Sequence, residues 1–413
     1  MNVDQIHNAN GPLLSVVVPT HNRARYATYA IHSVLAIRSE DLELVVHDTS
    51  EDTKLAEFAR GIADPRLRYT HCREPLSMTE NHNQAMALCR GRYVCLIGDD
   101  DSILPEALDA ARWADRHGVS AIAPEVVANY AWPDFRSRAF GAGHAARLYM
   151  KPAFGSVARR RADDDLDRAL GRAALGTDGL PKVYHGIVAR SALERVRERA
   201  GAYFFGTSPD VSGAVGVAAV IDEYVWIDYP LTLPGASAGS NTGRSATGTH
   251  VGTVEDDPHT KRFRNLEWPE VLPRFVSVET VWAHAVHATL KAVAPERLGR
   301  YNMPRLYAMC LLKSFAYRGA ILAAARRWAV GAGIGAGTLW MRVAVELASA
   351  ALGSAWTLAK RVSRPSAAGG RLHRDGIETI ADCAVPYEDL FTQARVGAPL
   401  AALLDTVATP ARR

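Results

Sequence analysis

The 413-residue chain reads as an α/β protein whose N-terminal part builds a mostly parallel sheet and whose C-terminal part is helical. Three observations predict this. Apolar strands alternate with amphipathic helices from Leu13 to Pro105, a pattern that implies parallel strands joined by right-handed crossovers. Several of those strands stop on acids or hydroxyl residues, which places polar groups along one edge of the sheet. Beyond about residue 262 the composition shifts to alanine-rich helical stretches.

The elements follow in order. Leu14-Ser15-Val16-Val17-Val18 is a buried strand that halts at Pro19 and opens a polar turn through Thr20, His21, Asn22 and Arg23. Ala27, Ala30, Ile31, Val34 and Leu35 then recur with helical spacing. Leu42 to Val46 is a second strand, ending on His47-Asp48-Thr49-Ser50, and Lys54 to Arg60 is a short helix. Arg66 to Thr70 is a weaker strand. Ser77-Met78-Thr79-Glu80 has the form of a capping box for a helix running to about Arg90, with Gly91 as its stop. Tyr93 to Ile97 is the next strand, and it carries the chain's most informative feature.

That strand ends on Asp99-Asp100-Asp101. At the C-terminal end of a parallel strand these acids would line the crevice where open α/β sheets bind ligands. Three adjacent carboxylates repel one another unless a cation neutralises them, and an all-oxygen site suits Mg²⁺ or Mn²⁺ bridging to substrate phosphates. The plain alternative is an acidic turn at the start of the next helix. A second triplet, Asp163-Asp164-Asp165, follows Arg159-Arg160-Arg161 in a polar stretch with no strand evident ahead of it. It is expected to be a solvated helix start beside a solvated arginine patch.

Pro19-Thr20-His21-Asn22-Arg23, Asp48 in its turn, Asn81-His82-Asn83-Gln84-Ala85-Met86 with Gly91-Arg92-Tyr93-Val94, and Asp99 to Pro105 together resemble the successive signatures of family 2 glycosyltransferases with the GT-A fold. The resemblance is clear from Leu13 to Pro105 and continues weakly to about Asn241. It implies a nucleotide-sugar donor, expected to be a UDP-sugar, a divalent metal (Mg²⁺ or Mn²⁺), and inverting transfer to the hydroxyl of a glycan or lipid-linked acceptor of a surface polysaccharide. Donor-binding roles are implied for Pro19, Thr20, Asn22, Arg23, Asp48, Asn83, Asp99 and Asp100, and metal binding for Asp101 with Asp99. The family pattern of D-x-D and a further acid is altered here, since Ser102 follows Asp101. The register can be drawn two ways, and the division of roles among the three acids stays open.

Inversion needs a general base for the acceptor hydroxyl. The candidate is Asp210 in Gly206-Thr207-Ser208-Pro209-Asp210-Val211, between the strand-like Val183 to Ala189 and a small-residue helix from Ser212 to Val220. It resembles the acid that ends the family's acceptor loop. A helix N-cap is the alternative role. Asp222 and Glu223, ahead of the strand Tyr224 to Asp228, are rival bases.

A formal net charge of +4, with no Lys/Arg-rich tract interleaved with aromatics, argues against nucleic acid as a partner. Five cysteines without C-x-x-C spacing fit free thiols in a reducing compartment. Met1 to Asn10 lacks an apolar h-region, so the expected location is cytoplasmic, where nucleotide sugars are found.

The expected layout is residues 1–240 as the catalytic domain, 241–262 as a flexible loop or linker in which Arg244 or His250 could reach a phosphate, 263–362 as the helical region, and 363–413 as linker and tail. Helices are expected over Val271 to Val293, Met303 to Val330 and Thr338 to Val362. The apolar stretch Trp328 to Met341 is short of the ~20 residues needed to span a bilayer. Trp328, Trp340 and Trp356 beside Arg326, Arg327, Arg342, Lys360 and Arg361 suit either contact with the inner face of a membrane or, as preferred, packing on the catalytic domain or on a second copy. Two rival functions are a nucleotidyltransferase and a non-catalytic scaffold. The first would place a glycine- and Lys/Arg-rich phosphate loop after the first strand, and Pro19 to Arg23 is not one; retention of all three acids and Asp210 argues against the second.

Overall fold

The computed structural model describes residues 11–177, 179–362 and 366–408, and of residues 354–362 the backbone alone. The chain opens with β1 (Leu14–Thr20), α1 (Ala24–Leu35), β2 (Leu42–Asp48), α2 (Lys54–Arg60), β3 (Leu67–His71), α3 (Met78–Ala87) and β4 (Tyr93–Leu96). Every residue of β1, β2 and β4 is buried, which is why these strands are near-continuous runs of Val and Leu rather than alternating ones. The Ser77–Glu80 capping box starts α3, with both reciprocal hydrogen bonds formed. That helix ends at Leu88, so Gly91 is not its stop; a Cβ there would lie 2.6 Å from the Ser15 amide, and glycine lets β4 approach β1.

Beyond the acids come β5 (Ser102–Ile103), α4 (Pro105–His117), β6 (Ala121–Pro124), β7 (Ala128–Ala131), β8 (Arg147–Met150), β9 (Ala153–Phe154), β10 (Ser156–Arg161) and α5 (Ala162–Gly171). The chain continues with β11 (Ile187–Ala189), α6 (Arg190–Ala200), α7 (Pro209–Ala218), β12 (Glu223–Asp228), β13 (Thr232–Leu233), β14 (Gly235–Ala236) and α8 (Asn241–Thr247). The main sheet has the order β10-β12-β6-β11-β4-β1-β2-β3. Six strands run one way, while β11 and β10 run antiparallel to their neighbours. The expected mostly parallel α/β class is therefore the one observed.

The second acidic triplet differs from expectation in two respects. It does follow a strand, β10, but an antiparallel one that delivers its end to the edge of the sheet opposite the first triplet. It does begin a helix, α5, yet Asp165 is buried and accepts a hydrogen bond from Tyr224 at 2.6 Å instead of facing water. Nor is the arginine patch simply solvated: Arg160 lies over the Trp226 ring and Arg159 donates to the Val407 carbonyl.

The helical region contains α9 (Val278–Val293), α10 (Met303–Lys313), α11 (Arg318–Gly331) and α12 (Ala336–Val362), packed with α5 and α7 in one apolar core. The expected helix from 303 to 330 is broken at Ser314, where α10 and the following stretch meet at 117°. No single helix among the described residues is long and apolar enough to cross a membrane. Trp328 and Trp340 pack against the helical core; the side chains of Trp356, Lys360 and Arg361 lie outside the described residues.

Two segments expected to be linker or tail carry regular structure, the first of them over Asn241–Thr247 alone. The first, 241–262, holds α8, capped by Ser240, and Arg244 is engaged by Asp257 at 2.7 Å. After the 366–371 turn the chain returns to the first domain as β15 (Leu372–Asp375), α13 (Ala384–Gln393), β16 (Arg395–Val396) and α14 (Leu400–Asp405). β15 extends the small sheet β14-β7-β8-β15, β16 pairs with β9, and Tyr387, Leu390, Leu403 and Leu404 join the same core as Leu14 and Ile31.

Candidate active site

The C-terminal ends of β1, β2 and β4 meet at one edge. Thr20 and Asp48 are register partners, and Thr20 Oγ1 donates to Asp99 Oδ2 at 2.7 Å, so the three signatures converge as the topology requires. Pro19 immediately precedes Thr20 within β1. The Arg23 guanidinium closes this edge. It donates through Nε to Asp99 Oδ1 at 2.6 Å, approaches Asp100 Oδ2 at 3.0 Å, and donates to Ser237 Oγ at 2.7 Å, while Ser237 donates to Asp100 Oδ2 at 2.5 Å. Although burial would lower the Arg23 pKa, the charges of Asp99 and Asp100 hold it above its ordinary value.

The three acids are not equivalent. Asp101 is 1% exposed and receives the backbone N–H groups of Gly98 and Gly235 at 2.6 Å each, the Tyr184 hydroxyl at 3.0 Å and His185 Nε2 at 3.1 Å. Burial pushes its carboxyl up, but His185 and the two N–H groups more than offset this and hold it below the ordinary range. Both oxygens of Asp99 are also taken, by Thr20 and Arg23. Among the described residues Asp100 is bonded only at Oδ2; burial, reinforced by the Asp101 charge, pushes its carboxyl up to about 7. Space for this turn depends on two glycines. A Cβ on Gly235 would fall 1.8 Å from the Asp100 carbonyl, and one on Gly98 would fall 2.8 Å from Asp101 Oδ2.

The cation sought in the sequence to offset three acids is thus supplied in part by Arg23. Among the described residues no group of three or more His, Cys, Asp and Glu side chains forms a metal shell. The donor set still fits a divalent ion held by few protein oxygens. Asp100 keeps Oδ1 unbonded among the described residues, and a single guanidinium, Arg23, is shared between Asp99 and Asp100. Asp101 could bind metal only by giving up its internal partners.

The other expected donor residues are placed as follows. Asp48 accepts from Tyr69 at 2.6 Å and from the Ser50 N–H at 2.8 Å. Asn22, in the left-handed region at φ 55°, ties the turn after β1 to the turn after β2 through Ser50 and Glu51. Asn83 does not face this edge with a free amide: it accepts from the Tyr203 and Phe204 N–H groups and donates to the Phe204 carbonyl, fixing the approach to α7. Asn81 instead joins His47 to the Thr20 carbonyl.

Asp210 lies in the first turn of α7. The N-cap position is Ser208, whose hydroxyl donates to Asp210 Oδ1, so the cap role considered for Asp210 is not the one it has. Burial, and after it the charges of Asp101, Asp100 and Asp210, push the Tyr184 hydroxyl well above its ordinary value. Asp222 and Glu223 stand at the N-terminal end of β12, on the opposite edge of the sheet, and are thereby removed as rivals.

Sequence reading missed Tyr184, His185, Gly235, Ser237 and Arg262. Tyr184 and His185 were hidden in a presumed strand; only Ile187–Ala189 is extended, and His185 itself has φ 58°, a conformation rare for a non-glycine residue. Arg262 reaches His21 at 3.1 Å and Glu51 at 3.1 Å from a segment read as linker.

The C-terminal edge of a largely parallel sheet thus gathers Thr20, Asp48, Arg23 and the carboxylate turn. Residues 15–162 match the family model described as Glycosyl transferase family 2, and the chain therefore carries a domain of that family. Escherichia coli WcaA, named as a glycosyl transferase of colanic acid biosynthesis, is 34% identical over 24% of this chain and 36% of its own length. A Campylobacter jejuni protein named GalNAc(5)-diNAcBac-PP-undecaprenol beta-1,3-glucosyltransferase is 34% identical over 24% of this chain and 32% of its own. The matches thus span about a third of these relatives. Staphylococcus aureus TarS 1-349 in complex with UDP-GlcNAc aligns with a TM-score of 0.44 at 15% identity, over 78% of this chain and 93% of that one.

Proposed function

We propose that the protein is an inverting glycosyltransferase that moves a sugar from a nucleoside diphosphate donor, a UDP-sugar, to a hydroxyl of a glycan or lipid-linked acceptor in surface-polysaccharide synthesis, acting at the cytoplasmic side. The observation that carries the reading is the convergence of Thr20, Asp48 and the Asp99–Asp101 turn on one edge of the sheet, with Arg23 bridging Asp99 and Asp100. The names of the bacterial relatives support the acceptor class. In this reading Asp48 and Thr20 contact the nucleoside. Arg23 and Asp99 hold the turn rigid, and Arg262 and His21 stand beside the diphosphate. Asp100 would hold Mg²⁺ or Mn²⁺, which would supply positive charge against the leaving nucleoside diphosphate. Asp101 fixes the turn from below through Gly98 and Gly235. Asp210 takes the acceptor proton as the hydroxyl attacks the anomeric carbon.

The test is Asp210→Asn. Asn suits the first turn of a helix without stripping the Ser208 hydroxyl of its partner, but it cannot take a proton. The variant is expected to melt within a few degrees of wild type, to bind UDP normally with Mn²⁺, and to lose at least ~100-fold in turnover. Turnover near wild type in the folded variant would exclude the base role.

A further inference from the structure

Outside the acidic edge, a cavity of about 750 Å³ opens between α8, α9 and α10. Four cations line it: Arg138, Arg172, Arg305 and Lys313. Its one lining acid, Glu279, is matched by Lys313 at 2.7 Å, and Arg305 is matched by Glu346 at 2.9 Å. Arg138 gives Nε to the Thr247 carbonyl, and neither it nor Arg172 has a carboxylate partner among the described residues. Two further polar atoms in the lining, His250 Nδ1 and Arg305 Nε, are buried with no hydrogen-bond partner among the described residues. Buried polar groups are rarely left unpaired, because desolvating one without a bond is costly. The unpaired groups share the lining with Arg138 and Arg172, the two cations without a carboxylate partner among the described residues. The rest of the wall is apolar, with Trp282 and Met309, and Leu312 and Phe315, which flank the lining residues Lys313 and Ser314, are exposed at 42% and 62%.

We infer that this cavity binds a ligand in which a phosphate or diphosphate is joined to an apolar group, the anion meeting Arg138, Arg172 and Arg305 and the apolar part lying on Trp282 and Met309. Such a ligand is either the headgroup end of a phosphorylated lipid or a soluble phosphate ester. The inference does not depend on the proposed transfer reaction. It does have a structural link to it: the segment lining the cavity at His250 and Val251 runs on to His259, whose Nε2 meets the Thr207 carbonyl ahead of Asp210.

The test is calorimetric titration of the full chain, in EDTA so that metal-held diphosphate does not contribute, with inorganic pyrophosphate and with geranyl diphosphate. Both probes are expected to bind, and the doubly substituted Arg138→Glu, Arg172→Glu protein is expected to bind each at least tenfold more weakly with an unchanged circular dichroism spectrum. The single Arg172→Gln exchange, at an exposed position, should give a loss of several-fold and serves if the double variant misfolds. Tighter binding of geranyl diphosphate that is lost in Trp282→Ala identifies the lipid source; equal binding of the two probes identifies the soluble one. Absence of binding by both probes at millimolar concentration overturns the inference. So does full affinity in the Arg138 and Arg172 variants, or a loss confined to Arg262→Ala at the acidic edge.

Discussion

Asp100 and Asp101 are chain neighbours with opposite electrostatic circumstances, and a pair of substitutions separates their roles. Asp100→Asn removes a carboxyl that burial and its neighbours already push up to about 7, so stability should hold or rise. Mn²⁺-dependent UDP binding should weaken at least about tenfold. Asp101→Asn sets an amide N–H₂ against a nest of donors, the Gly98 and Gly235 N–H groups, Tyr184 and His185. Each unsatisfied buried partner costs about 1–3 kcal/mol, so this variant should lose stability whether or not metal is present. Urea unfolding and UDP titration with and without Mn²⁺ decide the matter. Metal dependence lost in a fully stable Asp101→Asn protein, and kept in Asp100→Asn, would move the metal to Asp101.

Helix α3 shows how one element serves the site without presenting a reacting group. Thr79, His82 and Asn83 fall on one face at i, i+3 and i+4, and that face holds the turn before α7: Thr79 donates to the Gly206 carbonyl at 2.6 Å, and Asn83 grips residues 203 and 204. His82 bonds to the Met78 carbonyl at 2.8 Å, and its ring meets Phe204 edge-on. Burial lowers its pKa from 6.5 to about 4, helped by His259 and opposed by Asp210. The sign follows directly. A base held neutral in the folded state contributes its full stability above about pH 6.5, and that contribution declines as pH falls towards about 4. His82→Gln should therefore flatten part of the fall in unfolding free energy between those values, with little change at pH 7.5 beyond a constant offset. Parallel pH curves for the two proteins would show that His82 is not held neutral.

The apolar core that holds Leu14 and Ile31 on one face of the sheet and the core among α5, α7 and α9 to α12 are joined by a chain that leaves the first and comes back. The returning segment buries Tyr387, Leu390 and Leu404 nearly completely, and Asp405 accepts from the Trp113 indole at 3.0 Å. Full burial of such side chains contributes about 1.5–3 kcal/mol each. A chain ended after Gly370 should accordingly lose its cooperative unfolding transition, read by scanning calorimetry, although it keeps all eight strands of the main sheet. A sharp transition at the wild-type temperature would show the segment to be dispensable.

The sequence by itself determined what local rules decide. The alternation of buried strands and one-faced helices, the capping box at Ser77 and Glu80, and an acid turn at the end of β4 are all readable from side-chain period and cap chemistry over a few residues. The parallel order of β1, β2 and β4 follows from that alternation, and with it the convergence of Thr20, Asp48 and Asp99. Only the tertiary structure decided which groups neutralise the acids, which carboxylate keeps a free oxygen, what Asn83 holds, and where residues 372–405 go. The reason is distance along the chain. Arg23 meets Asp99 across 76 positions, Ser237 meets Asp100 across 137, and Trp113 meets Asp405 across 292. Pairings at that range are chosen by packing and charge once the sheet has formed, and no pattern within a single segment encodes them.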